Sequence, residues 1–424
     1  MRSLERFNVA TLIVVGRLLV TASSLVSAPI VARSLGPEGR GESAAAVAAF
    51  FIAPVVLALG IPLEVRRTSA RDWSYNPLPA ARRYAILSLI PAIGFAAALY
   101  FTLFAQFETT ARLVAALGIV LTPLSVNWAC DTSALVARKR YASVFAIQLA
   151  QPAIYVPAIV VLWLTSSATL ATVLAAYIGG NVAAFVMGVI CTRRILHGVH
   201  VELRELLRGG ARFSGAAIAE VASNRLDQAL ALPIIGASGA GLYSVAVTVA
   251  SAPVALAQAL NASTFVTISR ARDSERRSAQ LASLRMAVLT AAIACPVTGL
   301  IAWPLIPAIF GAEFSAAREL LLLQLPGTAA LIVAVLASMA LVTEQRGGLL
   351  MLGQVTGLIA GIALLATLGT LIGPPGAALA SSIGYAVLLG TLLAGLRVRP
   401  KELVPRRGDL ASTRKAFFSR SSSD

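Results

Sequence analysis

Charge is what this chain has little of. Asp, Glu, Lys and Arg make up 13 % of its 424 residues, about half of the roughly 25 % usual in soluble domains. A water-soluble fold needs a polar coat, and little is present from which to make one. That scarcity excludes a secreted soluble domain and a disordered chain, and it argues against a cytosolic enzyme. Cysteine is nearly absent. Cys130, Cys191 and Cys295 each sit in or at the end of an apolar run; with no metal spacing and no even disulfide count they read as buried structural thiols. The two histidines, His197 and His200, share one basic loop without further ligands, so no metal and no other cofactor is expected. Gly36-Pro37-Glu38-Gly39 lacks the Gly-Lys-Ser/Thr ending of a phosphate loop.

What is present is apolar. Hydrophobic residues are 58 % of the chain, and the mean hydropathy is +0.81. Twelve apolar runs follow one another, at 9–32, 43–63, 84–105, 112–136, 143–164, 168–192, 213–235, 241–268, 286–310, 320–342, 347–370 and 375–396. Each is long enough to cross about 30 Å of hydrocarbon as a helix. The first has Arg2 and Arg6 before it and small residues near Ala28, like a signal peptide; eleven similar runs follow, so it reads as a retained helix.

The charges test this count. With a cytoplasmic N-terminus, 29 of the 35 basic residues fall in inside segments and only Arg33, Arg40, Arg112 and Arg318 fall outside. Arg17 and Arg225 remain within spans. Dropping one span would invert every later loop and destroy the asymmetry. The reading is an all-α, polytopic membrane protein with twelve transmembrane helices and both termini cytoplasmic. The net charge of +16 is then topological and needs no nucleic acid to explain it.

The chain also repeats itself. Leu35-Gly36-Pro37-Glu38-Gly39-Arg40-Gly41 closes span one, and Ile235-Gly236-Ala237-Ser238-Gly239-Ala240-Gly241 closes span seven. Their glycines align at an offset of 200. Pro54-Val55-Val56-Leu57-Ala58 matches Pro253-Val254-Ala255-Leu256-Ala257 at offset 199, and Arg71-Asp72 matches Arg272-Asp273 at 201. An even number of spans per half gives both halves one orientation, hence a parallel repeat. The expected organisation is an N-terminal six-helix lobe at 1–200, a C-terminal six-helix lobe at 201–400, and a disordered basic cytoplasmic tail at 401–424. A loop over 193–212 joins the lobes. Gly36, Gly39, Gly41, Gly236, Gly239 and Gly241 read as structural turn glycines that let helix ends approach.

Polar groups inside hydrocarbon are costly and usually face an interior. Arg17 lies near the middle of span one. Glu220, Asn224 and Asp227 lie in span seven at i, i+4 and i+7, on one face, with Arg225 pointing elsewhere. Arg17 and Arg225 would give a cavity positive potential suited to an anionic head group such as a pyrophosphate, with Asn224 beside them as a further substrate contact. Glu220 and Asp227 would either pair with these arginines or bind a coupling cation; a structural ion pair between lobes is the alternative. Asp131 reads as an interfacial partner of Arg138 to Arg140. Prolines interrupt several spans and kink them.

These residues resemble a known family. Ala32-Arg33-Ser34-Leu35-Gly36-Pro37-Glu38-Gly39-Arg40-Gly41 looks like the opening signature of bacterial polysaccharide-repeat flippases, within the multidrug/oligosaccharidyl-lipid/polysaccharide exporter superfamily. Asn224-Arg225-Leu226-Asp227, followed by Gly236 and Gly241-Leu242-Tyr243-Ser244-Val245-Ala246, is similar to that family's seventh and eighth helices. Phe310-Gly311-Ala312-Glu313-Phe314, with Ala316 and Ala317, looks like its loop before helix ten. The resemblance covers about 1–400, and the chain departs from the pattern in having Arg40 where an aromatic is frequent.

The resemblance implies two six-helix bundles around a V-shaped, alternating-access cavity. The cargo would be a polyprenyl-pyrophosphate-linked oligosaccharide, turned from the cytoplasmic to the external leaflet of a bacterial plasma membrane. No bond is transferred. Coupling to an H+ or Na+ gradient or to the membrane potential would stand in place of a cofactor. Membrane lipids, the glycan substrate, a glycan polymerase and glycosyltransferases would be its partners. A peptidoglycan-precursor flippase and a cation-coupled multidrug exporter share this fold and remain alternatives. A membrane enzyme would need catalytic carboxylates or a large external loop, and no loop here is much longer than 20 residues.

Overall fold

Among the described residues helices form where the apolar runs lie, because a backbone in lipid must satisfy its own hydrogen bonds. The computed structural model describes residues 9–195, 198–258, 260–261 and 273–404, without the side chains of 9–22, 194, 216 and 273–275. Arg2, Arg6, His197, Arg270, Arg272 and the tail from 405 lie outside the described residues. The helices are α1 (Val9–Ala58), α2 (Ile61–Arg71), α3 (Leu78–Leu87), α4 (Leu89–Phe101), α5 (Thr109–Val120), α6 (Thr122–Ala137), α7 (Tyr141–Leu164), α8 (Leu170–Thr192), α9 (Leu203–Ala250), α10 (Asp273–Phe310), α11 (Ala317–Thr343), α12 (Gly347–Ile372) and α13 (Pro374–Gly395). Two two-residue strands, β1 (Tyr75–Asn76) and β2 (Val199–His200), pair in parallel.

Among the described residues ten helical stretches are long and apolar enough to cross a membrane. Two of them contain a residue that no helix accommodates. Gly36 (φ 66°, ψ −176°) breaks α1, and Gly236 (φ 74°, ψ 168°) breaks α9. Dividing at these glycines turns the ten stretches into twelve segments, the number expected from hydropathy and charge. The side chains that face outward are apolar: Ile90, Phe101, Leu164, Leu300 and Leu371 are all at least 70 % exposed. Water would penalise such a surface; lipid does not.

The chain divides into two compact units, Met1–Gly241 and Leu242–Asp424. The core of the first is built from α2, α3, α6 and α7, with Ile61, Val65, Leu78, Val126, Leu135 and Ile147 buried together. The first half of α9 is packed into this unit by glycines. A Cβ on Gly60 would stand 2.2 Å from the Gly210 carbonyl oxygen, and one on Gly209 2.4 Å from the Glu64 carboxyl carbon. Small residues at such crossings let backbones touch where there is no hydrophobic drive between helices.

The segment after α8 is more ordered than the loop expected over 193–212. β2 lies on β1, with Tyr75 opposite Val199 and Asn76 opposite His200. The Arg138 guanidinium donates to the carbonyls of Ile195 and Trp73 at 3.3 and 3.4 Å. Helix α9 then begins at Leu203. Hydropathy alone placed the helix start ten residues later, because its first turns carry Arg204, Arg208 and Arg212 outside the apolar span.

In the second unit, α12 and α13 pack through Gly357, Gly361 and Gly384, where a Cβ on Gly384 would lie 3.1 Å from the Gly361 Cα. The Tyr243 hydroxyl meets Ser381 Oγ at 2.6 Å, and Ser382 Oγ donates to the Leu323 carbonyl at 2.6 Å. The first residues of the tail, Pro400–Leu403, form a short 3-10 turn. Arg285 Nε donates to the Glu402 carbonyl, tying this turn to α10, and Arg277 donates to the Leu396 carbonyl at the end of α13, both at 2.8 Å.

Candidate functional site: an arginine and aromatic cluster in the first unit

Span seven of the sequence is the middle of α9. Glu220 and Asn224 are exposed on one face, and Asn224 Nδ2 donates to the Glu220 carbonyl at 2.8 Å. Asp227 Oδ1 accepts from the Gln228 N–H at 2.8 Å. Arg225 points away from that face, as the helical period requires. Its guanidinium carbon lies 4.5 Å from the centre of the Phe51 ring on α1. At that distance the cation sits over the negative face of the ring, which holds it without neutralising it. The side chain of Arg17 lies outside the described residues.

Phe51 is one wall of a larger aromatic group. Tyr177 on α8 stacks on Phe50 at 5.7 Å between centroids, and meets Phe51 edge-on at 6.4 Å and Tyr155 of α7 at 5.6 Å. The Gln151 and Asn181 side chains lie at the Tyr177 hydroxyl, and Arg225 acts on it electrostatically. Tyr155 lies beside Ser27 and Arg40. A small cleft with room for about one water opens between Phe50, Gly118, Thr122, Ser125 and Asn181.

Arg40 was missed as an interior residue. Counted along the chain, it belongs to a short external turn. In the structure the turn is a single broken residue, Gly36, and Arg40 already lies one turn into the second half of α1. Its Nε is closed off from solvent. The sequence signals were its place between Gly39 and Gly41 and its departure from the aromatic frequent at that position.

Two of the three pairs of motif glycines occupy corresponding places. Gly36 and Gly236 share one conformation, with positive φ and extended ψ, that essentially only glycine adopts. Gly41 and Gly241 sit at a crossing of the two motifs. A Cβ on Gly41 would stand 2.0 Å from the Ala237 carbonyl oxygen, and one on Gly241 would stand 1.9 Å from that of Pro37. The two contacts exchange places under the offset of 200, so the crossing is two-fold in form. A Cβ on Gly39 would meet the Leu35 side chain at 2.8 Å, and Gly239 is half-buried.

Asp131 does not pair with Arg138 to Arg140. Its carboxylate is fully buried and lies 3.5 Å from Arg82 Nη2 of α3. The same nitrogen donates to Thr192 Oγ1 at 2.8 Å. Gly188 leaves the space for it, since a Cβ there would stand 2.9 Å from Asp131 Oδ2. Arg138 is committed instead to backbone carbonyls, and burial followed by the neighbouring charge of Arg140 pushes its pKa down. Among the described residues no group of His, Cys, Asp and Glu could hold a metal ion.

Comparison with known proteins places this architecture. A family described as polysaccharide biosynthesis protein matches residues 30–319, more than half of the chain. No protein of curated function matches it. Among solved structures, the lipid II flippase MurJ in an inward closed conformation superposes with a TM-score of 0.74 at 12 % identity, over 95 % of this chain and 90 % of that one. An inward-facing multidrug resistance MATE family transporter of the MOP superfamily gives 0.64 at 15 %, over 97 % and 100 %. The Vibrio cholerae MATE transporter VcmN gives 0.59 at 12 %, over 93 % and 97 %. These likenesses establish the two-bundle fold of alternating-access transporters. The chain belongs to the polysaccharide biosynthesis protein family, and has the multi-pass helical fold seen in MurJ and the MATE transporters.

Proposed function

We propose that the protein is a flippase for polyprenyl-pyrophosphate-linked saccharides, moving the polar head from the cytoplasmic to the external leaflet of a bacterial plasma membrane. The observation that carries this is Arg225, its guanidinium over the Phe51 ring and acting on Tyr177 within an apolar bundle, with Arg40 beside Tyr155 of the same aromatic group. A guanidinium keeps its charge in such surroundings and its planar fork grips two phosphate oxygens. An exporter of organic cations would be served by carboxylates in that place.

Two cargoes share this chemistry. The family description fits an oligosaccharide repeat unit. The higher TM-score with a lipid II flippase than with either MATE transporter favours a peptidoglycan lipid precursor, which we take as the first cargo to test. In this reading Arg17, Asn224 and Arg225 contact the head group, and Glu220 and Asp227 serve ion coupling, by H+, Na+ or the membrane potential, or interlobe pairing. The lobes 1–200 and 201–400 rock against each other, with both termini cytoplasmic. Polymerases or transferases that use the external lipid-linked product are the natural partners.

The test is reconstitution. Proteoliposomes carrying lipid II or a polyprenyl-pyrophosphate repeat unit are followed with a membrane-impermeant probe of leaflet exposure. Protein-dependent flipping is expected, reduced at least tenfold in R225A and R17A and partly kept in R225K. Exchange of organic cations without glycolipid flipping would overturn the proposal in favour of a drug exporter.

A further inference from the structure

The aromatic group around Tyr177 has a composition that neither membrane packing nor phosphate binding calls for. Packing between helices in lipid uses small residues, and α8 supplies Gly180 against Gln151 for that purpose. Yet immediately beside it three aromatic rings, from α1 and α7, lie 5.6 to 6.4 Å from the Tyr177 ring of α8. Two primary amides, Gln151 and Asn181, meet at one phenolic hydroxyl. Each amide has two donors and an acceptor, so a place beside Tyr177 leaves capacity on both. Asn181 and Phe50 also line the cleft with Gly118, Thr122 and Ser125, and Phe51 remains 41 % exposed with the Arg225 guanidinium over its ring. Rings for the apolar face of a pyranose, amides for its hydroxyls and an adjacent cation for an anionic link are the three elements of saccharide recognition.

We propose that Phe51 and Tyr155, backed by the buried rings of Phe50 and Tyr177 and flanked by Gln151 and Asn181, form the wall that reads the saccharide of the cargo, next to Arg225 at its anionic link. This rests on the flippase reading and deepens it: the wall recognises sugar, and the arginine recognises pyrophosphate. The two roles separate experimentally. The full-length protein in nanodiscs is titrated with three probes: undecaprenyl pyrophosphate without sugar, lipid II, and an undecaprenyl-pyrophosphate-linked oligosaccharide repeat unit.

Wild type is expected to bind at least one saccharide-bearing lipid more tightly than the sugar-free lipid. Q151L/N181L should weaken that preferred lipid about tenfold, the worth of one or two hydrogen bonds, and leave the sugar-free lipid within about twofold. F51L is a second variant at an exposed position, where folding is not at stake, and should show the same selective loss. R225A should weaken all the lipids that bind. Equal losses for sugar-bearing and sugar-free lipids in both wall variants would make the wall structural and overturn the inference. So would a wild type that binds the sugar-free lipid as tightly as both others, although the flippase reading would then stand. Binding of none of the three would overturn the flippase reading itself.

Discussion

At the scale of single residues, the charges inside the first unit divide by what compensates them. Asp131 has Arg82 at 3.5 Å and no solvent, so the pair is structural. Removing one partner leaves a buried charge without compensation, which costs about 3–5 kcal/mol. R82A should therefore lower thermal stability in detergent strongly, and the double variant R82A/D131L should recover part of the loss. Arg225 is different: its compensation is the face of an aromatic ring, which leaves the cation able to attract an anion. R225A should accordingly change transport more than it changes the melting temperature, a contrast readable from the same preparations. At the membrane surface Asp72 accepts the Ser74 N–H at 2.8 Å, and this bond and the Ser74 hydroxyl hold its carboxyl below the ordinary value. A depressed carboxyl stabilises its turn fully above the ordinary pKa of about 3.9. That contribution disappears as the pH falls through the lowered value. A carbon-detected titration of Asp72 should place its midpoint below 3.9, and S74P, which removes the N–H, should raise it.

At the scale of elements, the broken helices matter most. Gly36 and Gly236 hold a backbone conformation that costs a residue with a Cβ roughly 1–3 kcal/mol. G36A and G236A should each lower stability by that order, although neither new Cβ would meet any atom within 4 Å. The cause would be conformational and not steric. Gly41 and Gly241 are the reverse case. Their φ values are ordinary, but an added Cβ would collide with the carbonyl oxygens of Ala237 and Pro37. G41A and G241A should force the two motif segments apart. A cysteine pair at Gly39 and Gly239, crosslinked on membranes, would report the change in spacing as altered yield. The motif glycines were legible in the sequence as a pair of turns. Which glycine serves conformation and which serves approach was not, because that depends on what stands opposite each one.

At the scale of the whole molecule, positive charge sets orientation. Twenty-nine of the 35 basic residues lie on one side when twelve spans are drawn from a cytoplasmic N-terminus. Cysteines placed at Lys139 and Ser166, the two ends of α7, should therefore react oppositely with an impermeant thiol reagent in intact cells. Lys139 should stay protected and Ser166 should be labelled; the reverse pattern would turn the protein over. The background thiols do not interfere at the external end, since Cys130 and Cys295 are buried and Cys191 is half-buried near the arginine-rich end of α8.

What the sequence determined by itself is everything that can be summed along a line. Span number follows from apolar stretches of about 20 residues and the repeat from an offset near 200, while the asymmetry of arginine predicts an orientation. None of these needs to know which residue faces which. The tertiary structure decided the partners. It gave Asp131 to Arg82 of α3 and left the nearer Arg138 to backbone carbonyls. It carried Arg40 from an apparent outer turn to the side of Tyr155, and brought Phe50, Phe51, Tyr155 and Tyr177 together from three helices. Such contacts depend on the rotation of each helix about its axis. An apolar helix in lipid carries almost no amphipathic signal to set that rotation, so its partners appear only when the neighbouring helices are packed against it.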